Sequence, residues 1–514
     1  MGLLVFLLIP VVAAVLSAVA PTRRDMENAN IAGFGVTFVL ALLIAARVLR
    51  DGSVSLWDGF LYADHLSALV CLLTASVALV CSVYAVGYLR EDESSGLLDD
   101  DARTAGGRLS PPVLLPSDEH RPPAAAKLRK YYVLTPLFVF AMLGVALANN
   151  LGVMWVAIEA TTLASVFLVT FYGRVTSLEA AWKYAIIGGV GLSMALFGTV
   201  LVYYSGHRVV GMETLAGLNW SVLAGHAAQL DKTTMRLAFI LALLGYGTKA
   251  GLAPMHTWKP DAYSEAPAPA AAILSSAMLN CALYGLVRFY ILASRCLGPE
   301  FPGRLLLIFG MLSMGISVPF VLVQRNFRRL LAYHTIDHAG IMVTALGVGG
   351  KLGALALMLH MTYHTVAKSL LFLCAGNVSQ HFKTDLFDKV KGGVIRAIPV
   401  TGAVFLMAML AIVGMPPFSL FQSEFLIVRA AFGAGHYVPT ALFILFGTGI
   451  FAGALLHVGG MVLGEGQTGG TACPASAWRD GSMLALAAAL VTMAFWLPAP
   501  LLELIRGAAK VIAG

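Results

Sequence analysis

The chain has 514 residues, 59% of them hydrophobic and 12% charged, with a mean hydropathy of +0.82. Apolar runs of about 18 residues or more recur along it, each reading as a transmembrane helix, so a water-soluble globular protein is excluded. The runs are too long and uniformly apolar for barrel strands, and the formal charge of +7 gathers at helix ends, where it reports topology rather than nucleic-acid binding.

The pattern predicts an all-α polytopic membrane protein of about fourteen helices. The first three spans fall near 3–20, 31–49 and 66–89. The first resembles a signal peptide but lacks a basic start and is followed by more helices, so it is expected to be retained. Residues 90–130 are rich in charge, proline and glycine, and predict a solvated, partly disordered loop. The next five spans, near 131–147, 151–172, 180–204, 237–254 and 267–293, form one expected unit, 131–293. Five more, near 304–323, 330–349, 353–378, 398–420 and 433–462, form a second, 304–462, and a last span lies near 481–504 within 481–514. Lys and Arg concentrate in loops after odd-numbered spans, for example Arg23, Arg24, Arg325, Arg328 and Lys383, which puts both termini on the outer side. Spans 7 and 12 each combine prolines with an ionisable residue, Lys249 before Pro254 and Glu424 after Pro416–Pro417. Matching broken helices five spans apart predict two inverted five-helix repeats.

Ionisable groups inside a membrane are costly and mark ion or proton paths. Lys249 sits deep in span 7, and Pro254 frees a backbone carbonyl nearby. Such backbone is tolerated where it is buried in protein or meets water, and a lysine there can exchange its proton, the property a relay needs. A permanent buried ion pair is the alternative. Glu159 is the acid of span 5 and calls for a cationic partner. Lys183, at the start of span 6, is the nearest in sequence, although it could instead pair with Glu179 one turn away. In span 11, His360, His364 and Lys368 recur every four residues and line one helix face, a row able to pass protons stepwise. Without an HExxH pattern or a carboxylate between the histidines, no metal is expected. His338 lies in span 10 with His334 and Asp337 nearer its start, either as part of the path or as a polar cluster at the helix end, and Glu424 closes the series. The six cysteines, at 71, 81, 281, 296, 374 and 473, form no CxxC or Cys/His ligand spacing, so no cofactor is expected in this chain. Small residues in "GGVGLSMALFG" predict close helix packing.

The stretches "LLGYGTKAGLAPMHTWKPDAYSEAPAP", "RRLLAYHTIDHAGIM", "HTVAKSLLFLCAGNV" and "GMPPFSLFQSEF" resemble the antiporter-like membrane subunits shared by respiratory complex I, Mrp sodium/proton antiporters and group 4 membrane-bound hydrogenases. "NNLGVMWVAIEATTLASVFLVTFY" and the segment after it are most similar to hydrogenase-4 component F. The resemblance implies fourteen helices with two inverted five-helix repeats and broken helices 7 and 12. It also implies proton-transfer roles for Glu159, Lys249 and Glu424, with Lys183 beside the glutamate. By the same token it implies a multi-pass subunit of a bacterial or archaeal cytoplasmic (inner) membrane, translocating protons or sodium ions. Other membrane subunits and a peripheral hydrogenase-like redox module would be its partners. The remaining readings are an Mrp-type antiporter, a complex I subunit, the membrane partner of an inorganic-carbon uptake system, and a structural anchor. One departure stands out: complex I relatives place a lysine in span 8 shortly before a Tyr-Gly pair, and "MLNCALYGLVR" has Asn280 there. No long lateral helix is expected after the last span.

Overall fold

The apolar runs fold as helices in the computed structural model, which describes residues 2–98, 124–210, 215–390, 393–464 and 476–514. Helices α1 (Gly2–Val19) and α2 (Arg23–Asp51) lead into a small antiparallel hairpin of β1 (Val54–Leu56) and β2 (Leu61–Ala63), then α3 (His65–Ser94). Next come α4 (Ala124–Leu147), α5 (Leu151–Val169), α6 (Val175–Val210), the short α7 (Trp220–Gly225), α8 (Lys232–Ala250) and α9 (Trp258–Glu265). Helix α10 (Ala268–Ile273) continues through a π turn, Leu274–Met278, into α11 (Leu279–Leu297). The second half holds α12 (Glu300–Val323), α13 (Phe327–Val348), α14 (Gly350–Phe382), the short α15 (Phe387–Val390) and α16 (Val394–Ala397), then α17 (Pro399–Ile412), α18 (Ser419–Gly433), α19 (Tyr437–Leu463), α20 (Ala477–Phe495) and α21 (Ala499–Ala513). Side-chain oxygens of Thr22, Asp64, Asn150, Asp231 and Asn326 cap the helices that follow them, accepting from otherwise unpaired N–H groups.

Nine helices among the described residues are long and apolar enough to cross a membrane. Apolar side chains such as Leu43, Trp182 and Leu456 are more than half exposed, which suits faces turned to lipid. By contrast, the helix from Ala268 to Leu297 is buried almost along its whole length. Helix α14 runs through the middle of the molecule, packing on α3, α10, α13, α17, α18, α20 and α21. The small residues of span 6 do what their size allows: Gly191 lies against Thr248, and Gly198 against the backbone of Ala238 on α8.

Two expectations need correction. Residues 90–130 are not loop throughout: α3 extends to Ser94 and α4 starts at Ala124, and Lys127 and Arg129 donate to the carbonyls of Leu98 and Ala20 at 2.9 and 3.0 Å. The rest of that segment, 99–123, lies outside the described residues, as does Cys473. The break expected in span 12 falls between α17, which stops at Ile412, and α18, which begins at Ser419. The last span is not straight: α20 and α21 meet at 73°, where Pro498 and Pro500 withhold the N–H groups a continuous helix needs.

A buried ion pair ties the start of α3 to α11. Arg288 of α11 donates through both terminal nitrogens to Asp64, each at 2.8 Å, and its guanidinium stacks 4.0 Å from the Trp220 ring centroid. Asp64→Ala would leave a buried guanidinium unpaired, so a loss of about 3–5 kcal/mol in stability is expected, read as a lowered unfolding temperature in detergent.

Candidate functional site

The first site is built where α8 ends. Gly251 takes the left-handed conformation (φ +74°) and closes α8 by donating to the Gly247 and Thr248 carbonyls. Lys249 therefore sits in the last turn, where the unpaired carbonyls of the helix terminus favour a cation. Its side chain is fully buried and donates to Thr162 Oγ1 at 2.8 Å and to the Tyr184 hydroxyl at 2.7 Å. The Tyr184 hydroxyl in turn meets Ser165 Oγ at 2.8 Å, and its ring stacks on Trp258 with centroids 4.4 Å apart. Glu159, Thr162 and Ser165 recur every three residues on α5, on the side that meets Lys249. Glu159 makes no ion pair with Lys249, and its Oε2 is buried without a hydrogen-bond partner.

The second site joins α13, α14 and α18. His338 Nδ1 lies 2.9 Å from His360 Nε2, and His360 Nδ1 lies 2.9 Å from Ser423 Oγ. Ser423 gives its single hydroxyl hydrogen to the Leu420 carbonyl at 2.8 Å, which fixes the rest of the network. His360 Nδ1 must then donate to Ser423, His360 Nε2 must accept, and His338 must donate through Nδ1. The free lone pair of the chain ends up on His338 Nε2, which has no protein partner. Around it lie further buried polar atoms with no hydrogen-bond partner in the protein: both ring nitrogens of His334 and of His364, Asp337 Oδ1 and Lys368 Nζ. The ring centroids of His338 and His364 are 5.1 Å apart. Glu424 reaches the group from the second turn of α18, with its carboxylate against Gly414 of the preceding break (φ +71°), in the space a Cβ there would need.

The helix from Ala268 to Leu297 stands between the two sites. Met278 Sδ is 3.5 Å from the Tyr184 hydroxyl. On the other side Asn280 donates to Thr365 Oγ1 at 2.7 Å, and Ser369 Oγ donates to Ser276 Oγ at 3.0 Å. Thr365 and Ser369 flank Lys368 on α14. Ser276 belongs to the π turn, a local widening often found at functional positions.

A family model described as NADH:quinone oxidoreductase/Mrp antiporter, TM matches residues 148–451, a stretch that contains both sites. The chain belongs to this family. A hydrogenase-4 component F homolog from Methylacidiphilum infernorum (isolate V4) is 36% identical over 407 residues, 79% of this chain and 79% of that protein. Hydrogenase-4 component B of Escherichia coli (strain K12) is 27% identical over 398 residues, 75% of this chain and 53% of that longer protein. The fold is shared with a chain of the archaeal membrane-bound sulfane sulfur reductase (TM-score 0.81, 22% identity, covering 99% of this chain and 97% of that one). It is shared equally with a chain of the Mrp complex from Dietzia sp. DQ12-45-1b (TM-score 0.80, 21% identity, covering 100% and 99%). The chain is thus an antiporter-like, multi-pass membrane subunit.

In this family member the site residues separate. Glu159 and Lys249 gather at the first site, and His338, His360, His364, Lys368 and Glu424 at the second. Lys183 joins neither. It is 44% exposed and bonds Glu179 at 2.6 Å and Asp261 at 3.0 Å, so the expectation that it partners Glu159 is corrected. The side chain that meets Lys249 from α6 is its neighbour Tyr184, because adjacent residues on a helix point about 100° apart. Lys183→Ala is expected to change transport by less than about twofold, since exposed pairs of this kind contribute little; a rate assay in membrane vesicles checks it.

Sequence reasoning missed Tyr184, Thr162, Ser165 and Ser423, which are neutral and carry no signal of their own in an apolar helix. It also passed over Lys259, although "TWKPDAY" places a lysine just ahead of a proline. Donor atoms of His334, Asp337 and His338, and separately of His338, His360 and Glu424, lie within 4.8 Å of one another. Both ring nitrogens of His360 are already engaged, Nε2 by His338 and Nδ1 by Ser423, so an ion shared by the second set would displace one of these bonds, and Lys368 belongs to the same cluster.

Proposed function

We propose that this chain translocates protons as the antiporter-like subunit of a redox-driven membrane complex of the [NiFe] hydrogenase or formate hydrogenlyase type. The observation that carries the reading is the pair of buried ionisable sites, around Lys249 and around His338–His360, joined through the hydroxyls and amide of the Ala268–Leu297 helix. Every buried group there is a proton carrier or a hydrogen-bond link, and buried polar atoms without protein partners are the positions that internal water fills. Imidazole and ammonium groups pass protons but supply none of the oxygen cages that hard cations favour, so the coupling ion is read as the proton.

The finer architecture belongs to the same reading. About fourteen crossings are counted when the shorter and more polar helices join the long apolar ones. Two inverted five-helix repeats are supported by the matching breaks: Gly251-Leu-Ala-Pro254 after α8 and Gly414-Met-Pro-Pro417 after α17. Each starts on a glycine with φ above +70° and sits beside an ionisable side chain. Broken helices of this kind place polar backbone where a translocation path runs. The termini face the outer side of a bacterial or archaeal cytoplasmic membrane, the chain holds no cofactor of its own, and electron transfer occurs in partner subunits. The likeness in fold to the Mrp complex favours a second reading, a gradient-driven cation/proton antiporter subunit.

Purification of the tagged chain in mild detergent, with mass spectrometry and nickel and iron analysis, separates the two. Nickel, iron and a hydrogenase large subunit are expected. A set of small membrane subunits with neither metal rejects the redox reading and moves the case to sodium–proton exchange in vesicles.

A further inference from the structure

The two sites leave a gap that the hydroxyl links do not close by charge. Asn280, the Ala268–Leu297 side chain that reaches α14 at Thr365, has an amide that cannot take up a proton as a charge. A second lysine lies next to this gap. Lys259 opens α9, the short helix after the first break, and α9 packs against α6 on one side and α13 on the other. The lysine is fully buried. Its ammonium donates to the Ala250 carbonyl, next to Lys249, and lies 5.7 Å from the Tyr263 ring centroid. Tyr263 in turn donates to the Leu274 carbonyl in the π turn, at 2.8 Å. Gly251 makes room for this side chain: a Cβ there would come within 2.9 Å of Lys259 Cδ, Cε and Nζ. Toward the second site, the Tyr263 ring beside this ammonium meets the ring of Phe372, one turn beyond Lys368 on α14, with centroids 5.9 Å apart. Lys259 is therefore anchored beside the first site and packed, through Tyr263, toward α14 and the second.

We propose that Lys259 is the proton relay between the Lys249 site and the His364–Lys368 site, doing from α9 what a protonatable residue at position 280 would do from α11. A proton passed from the Lys249 ammonium leaves Lys249 as the neutral amine and Lys259 charged. Its onward transfer to Lys368 or His364 returns Lys259 to the amine, so charge and protons balance with no other reactant. The cationic state is accommodated by the Ala250 carbonyl at the α8 terminus and by the Tyr263 ring. The competing explanation is that Lys259 merely caps α8.

This inference rests on the proton-translocation reading, and Lys249→Met in the same assay tells the two apart. The experiment follows dye-reported proton uptake in membrane vesicles holding the intact complex, energised by hydrogen or formate, with assembly checked by native electrophoresis. Lys259→Gln keeps a donor for the Ala250 carbonyl but cannot relay a proton, and transport is expected to fall about tenfold or more with assembly intact. Adding Asn280→Lys to that variant puts an ammonium beside Thr365, within a turn of Lys368, and is expected to restore a large part of the rate. Lys259→Gln transporting within twofold of wild type while Lys249→Met is inactive overturns the relay. So does a loss that Asn280→Lys leaves unrepaired, which marks Lys259 as a cap. Normal transport by Lys249→Met as well rejects the underlying reading instead.

Discussion

Lys249→Met is expected to abolish coupled proton translocation, by a factor on the order of 100 or more, while the complex still assembles. The methionine keeps the length and apolar contacts of the lysine stem, so the packing at the end of α8 is preserved. It removes the donor to Thr162 and Tyr184, and with it the only charge-bearing member of that hydrogen-bonded group. Thr162, Tyr184 and Ser165 can orient a proton but do not store one near neutral pH. Glu159→Gln is expected to fall in the same direction, because its carboxyl is the acid on that face of α5 and Oε2 is buried without a partner. Dye-reported translocation in energised vesicles, normalised to assembled complex, measures both. Lys249→Met at wild-type rate would mean that the buried lysine is a structural group and the path lies elsewhere.

His360→Ala is the second large effect, a loss of about 100-fold expected in the same assay. His360 is the middle of a three-member chain, bonded to His338 on one side and Ser423 on the other at 2.9 Å each. Removing the imidazole separates α13 from α18 as hydrogen-bond partners and leaves the Ser423 hydroxyl without its donor. Ser423→Ala removes only the group that sets the His360 tautomer, so a smaller, few-fold loss is expected. The ordering tests the assignment: a Ser423→Ala defect as deep as that of His360→Ala would show that tautomer control, rather than proton carriage, is what His360 provides. The ring resonances of His338 and His360 by nitrogen-15 labelling report the tautomers independently.

Much of this molecule could be read from its residue order. Long apolar runs have one stable solution in lipid, since every backbone group must be paired within its own segment, so helix existence and the membrane setting followed from composition. The row His360, His364, Lys368 was legible because a helix repeats every 3.6 residues and spacing alone puts the three on one face. The breaks near Pro254 and Pro416–Pro417 were legible because proline lacks the N–H that a helix interior requires.

Partnerships across helices were decided only in three dimensions. Lys183 and Tyr184 are neighbours in sequence, yet one reaches the carboxylates of exposed Glu179 and half-buried Asp261 and the other the buried Lys249, a difference set by the rotation of α6 against α5 and α8. The union of His338 with His360 joins residues on α13 and α14, and Ser423 joins them from α18; spacing within a single helix says nothing about which faces meet. Lys259 follows the break at Pro254 and has no spacing signal that marks it as buried. Its burial follows from the turn at Gly251, which folds α9 back between α6 and α13. Sequence fixes what each helix can offer along its own axis, because that geometry is local. Which offers become a path depends on how helices rotate and cross, and that is settled by packing over the whole bundle.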